Sequence, residues 1–154
     1  MPRPLPGLNR ASGSATLSIG RSIEEVFAFV CNPTNDPRWM PKVSDVKKLT
    51  EGPIGVGTIF SESIPLLGKK FTARWKVVEY LQNKRFLGRS IEDYLDFEGG
   101  YSLANLDGET LITKYASVDL SKVPPFIPVA AVGALISKEF KIALDRLKRL
   151  LENE

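Results

Sequence analysis

The segment "CNPTNDPRWMP", residues 31–41, decides how the chain folds, because its turn-forming residues interrupt an otherwise apolar helix. Pro33 disfavours helical geometry in the residue before it, so a helix reaching this segment must end near Asn32. The run from Asn35 to Pro37 is suited to starting a second short turn. Trp39 follows where the chain returns to regular structure. The segment therefore predicts two short helices separated by a sharp break.

The residues before this segment predict a tail, a strand and a helix. Residues 15–20, "ATLSIG", read as a short strand. Ser22 followed three residues later by Glu25 is a capping box, which pairs two backbone amides at a helix start. Residues 1–14 are rich in Pro, Gly and Ser, so we predict a flexible tail there and a single domain over residues 15–154. The helix that follows Ser22 has one apolar stripe of Ile23, Val26, Phe27 and Val30.

The rest of the chain predicts a sheet and one long helix. Closely spaced strands with tight turns favour an antiparallel meander. After Pro128, apolar residues recur at steps of three and four over about 24 residues, a helix of roughly 36 Å. The fold class is α+β, with about seven strands, two short helices after the first strand and a long C-terminal helix. Alternating patterns place the six later strands at 43–49, 58–66, 68–81, 85–95, 99–106 and 110–120.

Composition excludes several classes of function. The chain has 154 residues, 43% of them apolar, and a net charge of +3 without a dense basic run, which disfavours nucleic-acid binding. It has no histidine, so Ser-His and Cys-His nucleophiles and His-based zinc sites are excluded. We expect no cofactor and no metal, and read the carboxylates of residues 92–98 as a solvated loop. The single cysteine and the lack of a long apolar run fit a cytoplasmic protein without a transmembrane segment; a homodimer stays open.

Five pieces of the chain, taken in order, resemble the helix-grip fold of the START/Bet v 1-like (SRPBCC) superfamily. The resemblance is closest to its bacterial polyketide cyclase/dehydrase and lipid-transport group. It implies a curved antiparallel sheet that grips the last helix around a deep, mostly apolar cavity. Members bind lipids, sterols, hormones, quinones or polyketides there, and some catalyse cyclisation, dehydration or hydrolysis. The pieces are "SIEEVFAFVCNPTNDPRWMP", "GVGT", "KVVEYLQNKRF", "YSLANLDGETLIT" and "FKIALDRLKRLL".

Strand alternation places two charged residues on the cavity face. In the strand 58–66, the face with the bulkier apolar residues is assigned to the cavity, and Glu62 lies on that face. In the last strand, the more apolar face is assigned to the cavity, and Lys114 lies on it. Tyr101 faces inward with Leu103. A charge on an apolar face is costly unless it is paired, so one interpretation is a catalytic set: Glu62 as general base, with Lys114 or Tyr101 polarising a carbonyl. Two alternatives remain, namely exposed strand ends where both charges reach water, and a register shifted by one residue.

The remaining candidates are large apolar side chains, which in a cavity protein serve as core and as ligand contacts at once. Tyr94, within the acidic stretch 90–98, is placed at the cavity mouth. No metal ligands are assigned. The predicted ligand-binding residues are Trp39, Phe60, Phe71, Trp75, Phe86, Tyr94, Ile112, Ile136 and Phe140.

Three functions remain open at this stage. The first is a polyketide cyclase/dehydrase-like enzyme that binds a hydrophobic or aromatic small molecule and acts by acid–base catalysis. The second is a non-catalytic carrier or sensor of a lipid, quinone or similar ligand. The third is a partner-binding module, which only the basic face of the last helix supports. Fold alone does not choose among them.

Overall fold

The computed structural model describes residues 9–66, 68–91, 96–121 and 128–153. Seven strands form one antiparallel sheet in the order β1-β7-β6-β5-β4-β3-β2, with two short helices between β1 and β2. This is the predicted α+β helix-grip architecture. The strands are β1 Arg10–Ile19, β2 Ser44–Lys48, β3 Ile59–Leu66, β4 Lys69–Leu81, β5 Arg85–Ser90, β6 Phe97–Leu106 and β7 Glu109–Asp119. The helices are α1 Ile23–Val30, a 3₁₀-helix Pro33–Arg38 and α2 Val129–Glu152.

The helix break forms as predicted, with one difference. The Ser22 hydroxyl accepts a hydrogen bond from the Glu25 amide at 3.2 Å and caps α1. The 3₁₀-helix begins at Pro33 rather than near Asn35, because the Asn32 side chain accepts a hydrogen bond from the Thr34 amide at 3.3 Å and serves as its N-cap. Cys31, the C-cap of α1, is followed directly by Asn32, the N-cap of the next helix, which keeps the turn short.

The first strand is longer than predicted, and residues 10–14 belong to it rather than to a flexible tail. They pair with β7 from Arg10 opposite Asp119 onward. Their small side chains allow α2 to approach closely: a Cβ added at Gly13 would lie 2.7 Å from Cβ of Ile136, and one at Gly133 would lie 2.6 Å from the carbonyl oxygen of Ser12. Backbone pairing and helix packing, rather than side-chain propensity, form this part of β1.

β5 is shorter than the predicted strand 85–95 and ends at Ser90. The other strand boundaries lie within two residues of the predicted ones. The β6–β7 hairpin turns through Asp107 and Gly108, both with positive φ (51° and 86°), as a tight two-residue turn requires. None of the described helices is long and apolar enough to cross a membrane.

The hydrophobic core is one cluster of buried residues, and we call the part of it formed by α1, β1, β6, β7 and the C-terminal part of α2 the closed half. Ile112 of β7 pairs with Leu17 of β1 and Leu103 of β6 at this level of the sheet. The last turns of α2 are tied to the end of β1, since Lys148 Nζ donates to the Ser18 carbonyl at 2.9 Å. The buried members of the closed half are Ile19, Val26, Phe27, Val30, Leu103, Ile112, Leu144, Leu147 and Leu151.

Candidate functional site

Lys114 is a buried lysine on β7, the second strand from the β1 edge of the sheet, two residues along β7 from the closed half. It pairs with Tyr101 of β6, and its Nζ lies 3.3 Å from the tyrosine hydroxyl oxygen. Nζ also lies 4.5 to 5.5 Å from three ring centroids, those of Phe140, Tyr101 and Trp39. These rings come from α2, β6 and the residue after the 3₁₀-helix. Three ring faces around an ammonium offset part of its lost hydration.

Burial of the Lys114 side chain lowers its pKa to about 8. The negative charges of Asp36 and Glu62 act in the opposite direction and favour the protonated form. Among the described residues, however, no carboxylate forms an ion pair with Nζ. Lys114 is thus a cation held mainly by aromatic rings and one hydroxyl group, with both carboxylates further away.

Glu62 reaches the same region from β3. It lies opposite Ala73 of β4, on the face that also carries the buried Phe60. The residue is partly exposed, but burial of the carboxyl group is the main cause that raises its pKa. Lys114 and the indole of Trp75 lower that pKa without cancelling the effect of burial. The pKa values of Glu62 and Lys114 therefore shift towards each other.

Asp36 is a third buried ionisable group, which sequence reasoning treated as a turn residue only. It lies on the 3₁₀-helix and retains 6% exposure. Burial raises the pKa of its carboxyl group well above the usual value, Lys114 partly opposes the shift, and Glu62 adds to it. Its Oδ1 has no hydrogen-bond partner among the described residues. We call Asp36, Glu62, Tyr101 and Lys114 the polar cluster.

A continuous run of aromatic rings borders the polar cluster. Trp39 and Trp75 are buried, and the indole N–H of Trp39 lacks a hydrogen-bond partner in the part of the chain that the structure describes. Gly88 makes room for one of these indoles, because a Cβ there would lie 2.5 Å from Cε3 of Trp75. Centroid distances between successive rings are 4.9, 6.2, 6.3 and 5.9 Å along Phe60, Trp75, Phe86, Tyr101 and Trp39.

The other predicted ligand contacts are more scattered. Phe71 is partly exposed on β4, and Ile112 is fully buried in the closed half. Ile136 packs against β1 at Gly13, whereas Phe140 covers the Lys114 ammonium. Tyr94 lies outside the described residues. The structure thus brings the three predicted catalytic residues together with five of the predicted aromatic contacts.

Two depressions on the surface lie away from the polar cluster. One of about 490 Å³ is lined by Arg38, Arg146, Arg149, Leu150 and Asn153. Another of about 340 Å³ lies along β1 and β7, around Gly13 and Tyr115. Neither is lined by a predicted site residue. The described residues contain no group of three or more His, Cys, Asp or Glu that could hold a metal ion.

A sheet that grips a long helix, with polar groups buried between them, defines a helix-grip protein of the START/Bet v 1-like class. Residues 10–152 match the family described as polyketide cyclase/dehydrase and lipid transport, and the chain belongs to this family. The match begins at the first residue of β1 and ends at the last residue of α2. No curated protein matches the sequence.

Solved structures with the same fold are distant in sequence. TTHA0849 from Thermus thermophilus is 18% identical with a TM-score of 0.77, and the match covers 93% of this chain and 99% of that one. A START superfamily protein from Mycobacterium smegmatis is 19% identical with a TM-score of 0.68, covering 92% and 94%. The di-domain ARO/CYC StfQ from the steffimycin biosynthetic pathway is 13% identical with a TM-score of 0.72, covering 94% of this chain and 52% of StfQ. These similarities concern the fold.

Proposed function

We propose that the protein binds a hydrophobic, oxygen-bearing small molecule between the sheet and α2, and that it acts on this molecule as a polyketide cyclase/dehydrase-like enzyme. The observation that carries the proposal is the position of Lys114, buried among three rings with one hydroxyl group at 3.3 Å. The aromatic run offers surfaces on which a planar ligand would stack. The family description and the ARO/CYC relative StfQ support the same reading.

The polar cluster holds the groups that a dehydration needs. Glu62 removes a proton from the carbon next to a ketone, and its raised pKa makes it a stronger base than an exposed carboxylate. The Lys114 ammonium and the Tyr101 hydroxyl donate to the enolate oxygen as charge develops there. Asp36, which burial favours in the protonated form, gives its proton to the departing hydroxyl group. The C–H and C–O bonds break, a C=C bond forms, and water leaves.

The first step is tested with methyl naphthyl ketone in D₂O, by following α-proton exchange with NMR. We expect the wild type to accelerate exchange, and Glu62→Gln to slow it by about 10²–10⁴-fold. Ketone binding, measured by calorimetry, should be retained in that variant. Glu24→Gln is the matched control, since Glu24 is exposed on α1. Exchange at the wild-type rate in Glu62→Gln would remove Glu62 from its role.

A non-catalytic carrier is the second candidate, and the aromatic run is the observation that favours it. Stacking on rings such as Trp75 and Phe86 binds a planar ligand without any chemical step. A carrier would be purified with a hydrophobic compound that native mass spectrometry detects and that is released unchanged. A compound recovered in a chemically altered form after incubation would favour the enzyme instead.

A further inference from the structure

Lys114 differs from the other lysines of the described chain because it is the only one that is buried. Among the described residues its amine donates one hydrogen bond, to Tyr101, although an ammonium can donate three. The ring of Phe140, whose centroid lies 4.5 Å from Nζ, packs over the amine and is itself partly exposed. The amine is thus buried and forms fewer hydrogen bonds than it could.

We infer that Lys114 binds carbonyl ligands covalently, through condensation of its amine with a ketone carbon to give an imine. The inference rests on the proposed function only in that a carbonyl compound must reach the polar cluster. It assigns a nucleophilic role to a residue that the proposed dehydration uses as a cation. Enzymes with Schiff-base lysines activate the amine by desolvation in an apolar setting, which is the environment of Lys114.

The groups around Lys114 supply the proton transfers that the condensation needs. The unprotonated amine attacks the carbonyl carbon, so that a C–N bond forms and the C=O π bond breaks. One amine proton passes to the carbonyl oxygen through the Tyr101 hydroxyl group, which gives the carbinolamine. Asp36 or Tyr101 then protonates the hydroxyl group of the carbinolamine, its C–O bond breaks, and one water molecule leaves. No oxidant or reductant is required.

The protonation state of Lys114 is compatible with this reaction. With a pKa of about 8, roughly one tenth of the amine is unprotonated at neutral pH. For an ordinary exposed lysine, about one side chain in three thousand is unprotonated at neutral pH. The difference predicts selective modification of Lys114 over the exposed lysines of α2.

The test uses benzoylacetone, a diketone that condenses with reactive amines to a stable enaminone. After incubation with the full chain, peptide mass spectrometry should find one adduct, on Lys114, with the mass of benzoylacetone less one water. Lys114→Arg keeps the positive charge but should lose the adduct. Lys141→Arg, in the exposed part of α2, is the matched control and should keep it. Adducts spread over exposed lysines, or no adduct at all, would overturn the inference.

Two measurements separate this inference from the proposed function. If methyl naphthyl ketone binds and exchanges its α-protons while Lys114 stays unmodified by benzoylacetone, the imine is wrong and the proposed function stands. If the adduct forms without any α-proton exchange, the imine stands and the proposed catalysis is wrong. If neither ketone binds, both are wrong.

Discussion

The closed half and the polar cluster lie next to each other on one sheet but are built differently. In the closed half, Ile112 faces Leu103 across β6 and β7, and the space up to α2 is filled by aliphatic and aromatic side chains. Two residues further along both strands, Lys114 faces Tyr101, and charged groups replace apolar ones. The same strand alternation therefore builds a core at one level and a candidate site at the next.

The comparison indicates which region stabilises the fold and which region contains groups whose burial costs free energy. Apolar burial stabilises the closed half at roughly 25 cal/mol per Å². The polar cluster buries three ionisable groups with opposing charges, an arrangement that seldom adds stability. We therefore expect substitutions in the closed half to change stability, and substitutions in the polar cluster to change binding, chemistry and pH dependence.

The largest effect is expected from Phe27→Ala in the closed half. Phe27 is 1% exposed and contacts Tyr80 edge to face at 5.5 Å, so its truncation leaves a cavity and should lower the free energy of unfolding by about 3–5 kcal/mol. Urea unfolding measures the loss. Phe29→Ala, on the partly exposed side of the same helix, should cost much less. Equal losses for the two variants would contradict the division into two regions.

The pH dependence of stability should come from the polar cluster. A lysine side chain in an unfolded chain has a pKa of about 10.4, whereas the pKa of Lys114 in the folded chain is about 8. Between these pH values the unfolded chain holds a proton that the folded chain has lost, so stability rises with pH there. The wild type should gain up to about 3 kcal/mol relative to Lys114→Met over this window. Unfolding in urea at a series of pH values gives the difference, and a constant difference would argue against a buried ammonium.

Gly133→Ala tests how the N-terminal part of α2 is held. The new methyl group would lie 2.6 Å from the Ser12 carbonyl oxygen, which belongs to the backbone and cannot rotate away. Overpacking should cost about 1–3 kcal/mol, partly offset by the better helix propensity of alanine. The expected result is a lower melting temperature by circular dichroism. Gly55→Ala is the control, because nothing lies within 4 Å of the added atom.

The smallest effect is expected from Lys42→Ala. Lys42 pairs with Glu139 of α2 at 3.0 Å, and 57% of its side chain is exposed. Such surface pairs contribute about 0–1 kcal/mol and weaken with salt. Double-mutant cycles with Glu139→Ala should therefore give a small coupling that high salt removes. A coupling above about 2 kcal/mol would show that this contact contributes as much as burial does.

Much of the fold could be predicted from the sequence because its signals are local. Ser22 and Pro33 mark the start and end of α1, and alternation placed Trp75, Tyr101 and Lys114 on the inner face. Residues 10–14 were missed, since "RASGS" has no strand pattern and becomes a strand only through β7 and α2.

The candidate site was predictable only in part. Glu62 and Lys114 stood out because a charge on an apolar strand face is unusual. Asp36 carried no such signal: its segment is rich in turn residues, and the charges that act on its pKa, those of Lys114 and Glu62, lie far away in sequence. The catalytic roles and the contact assigned to Tyr94 stay predictions, since sequence patterns describe faces and turns, not reactivity.

Both tryptophans of the chain, Trp39 and Trp75, lie in the aromatic run, and the closed half contains none. All indole fluorescence of the unlabelled protein therefore originates beside the polar cluster. A ligand that stacks there would quench or shift the emission directly. Trp39→Phe and Trp75→Phe would show how much each indole contributes to the signal. The protein thus carries its own optical reporter of site occupancy.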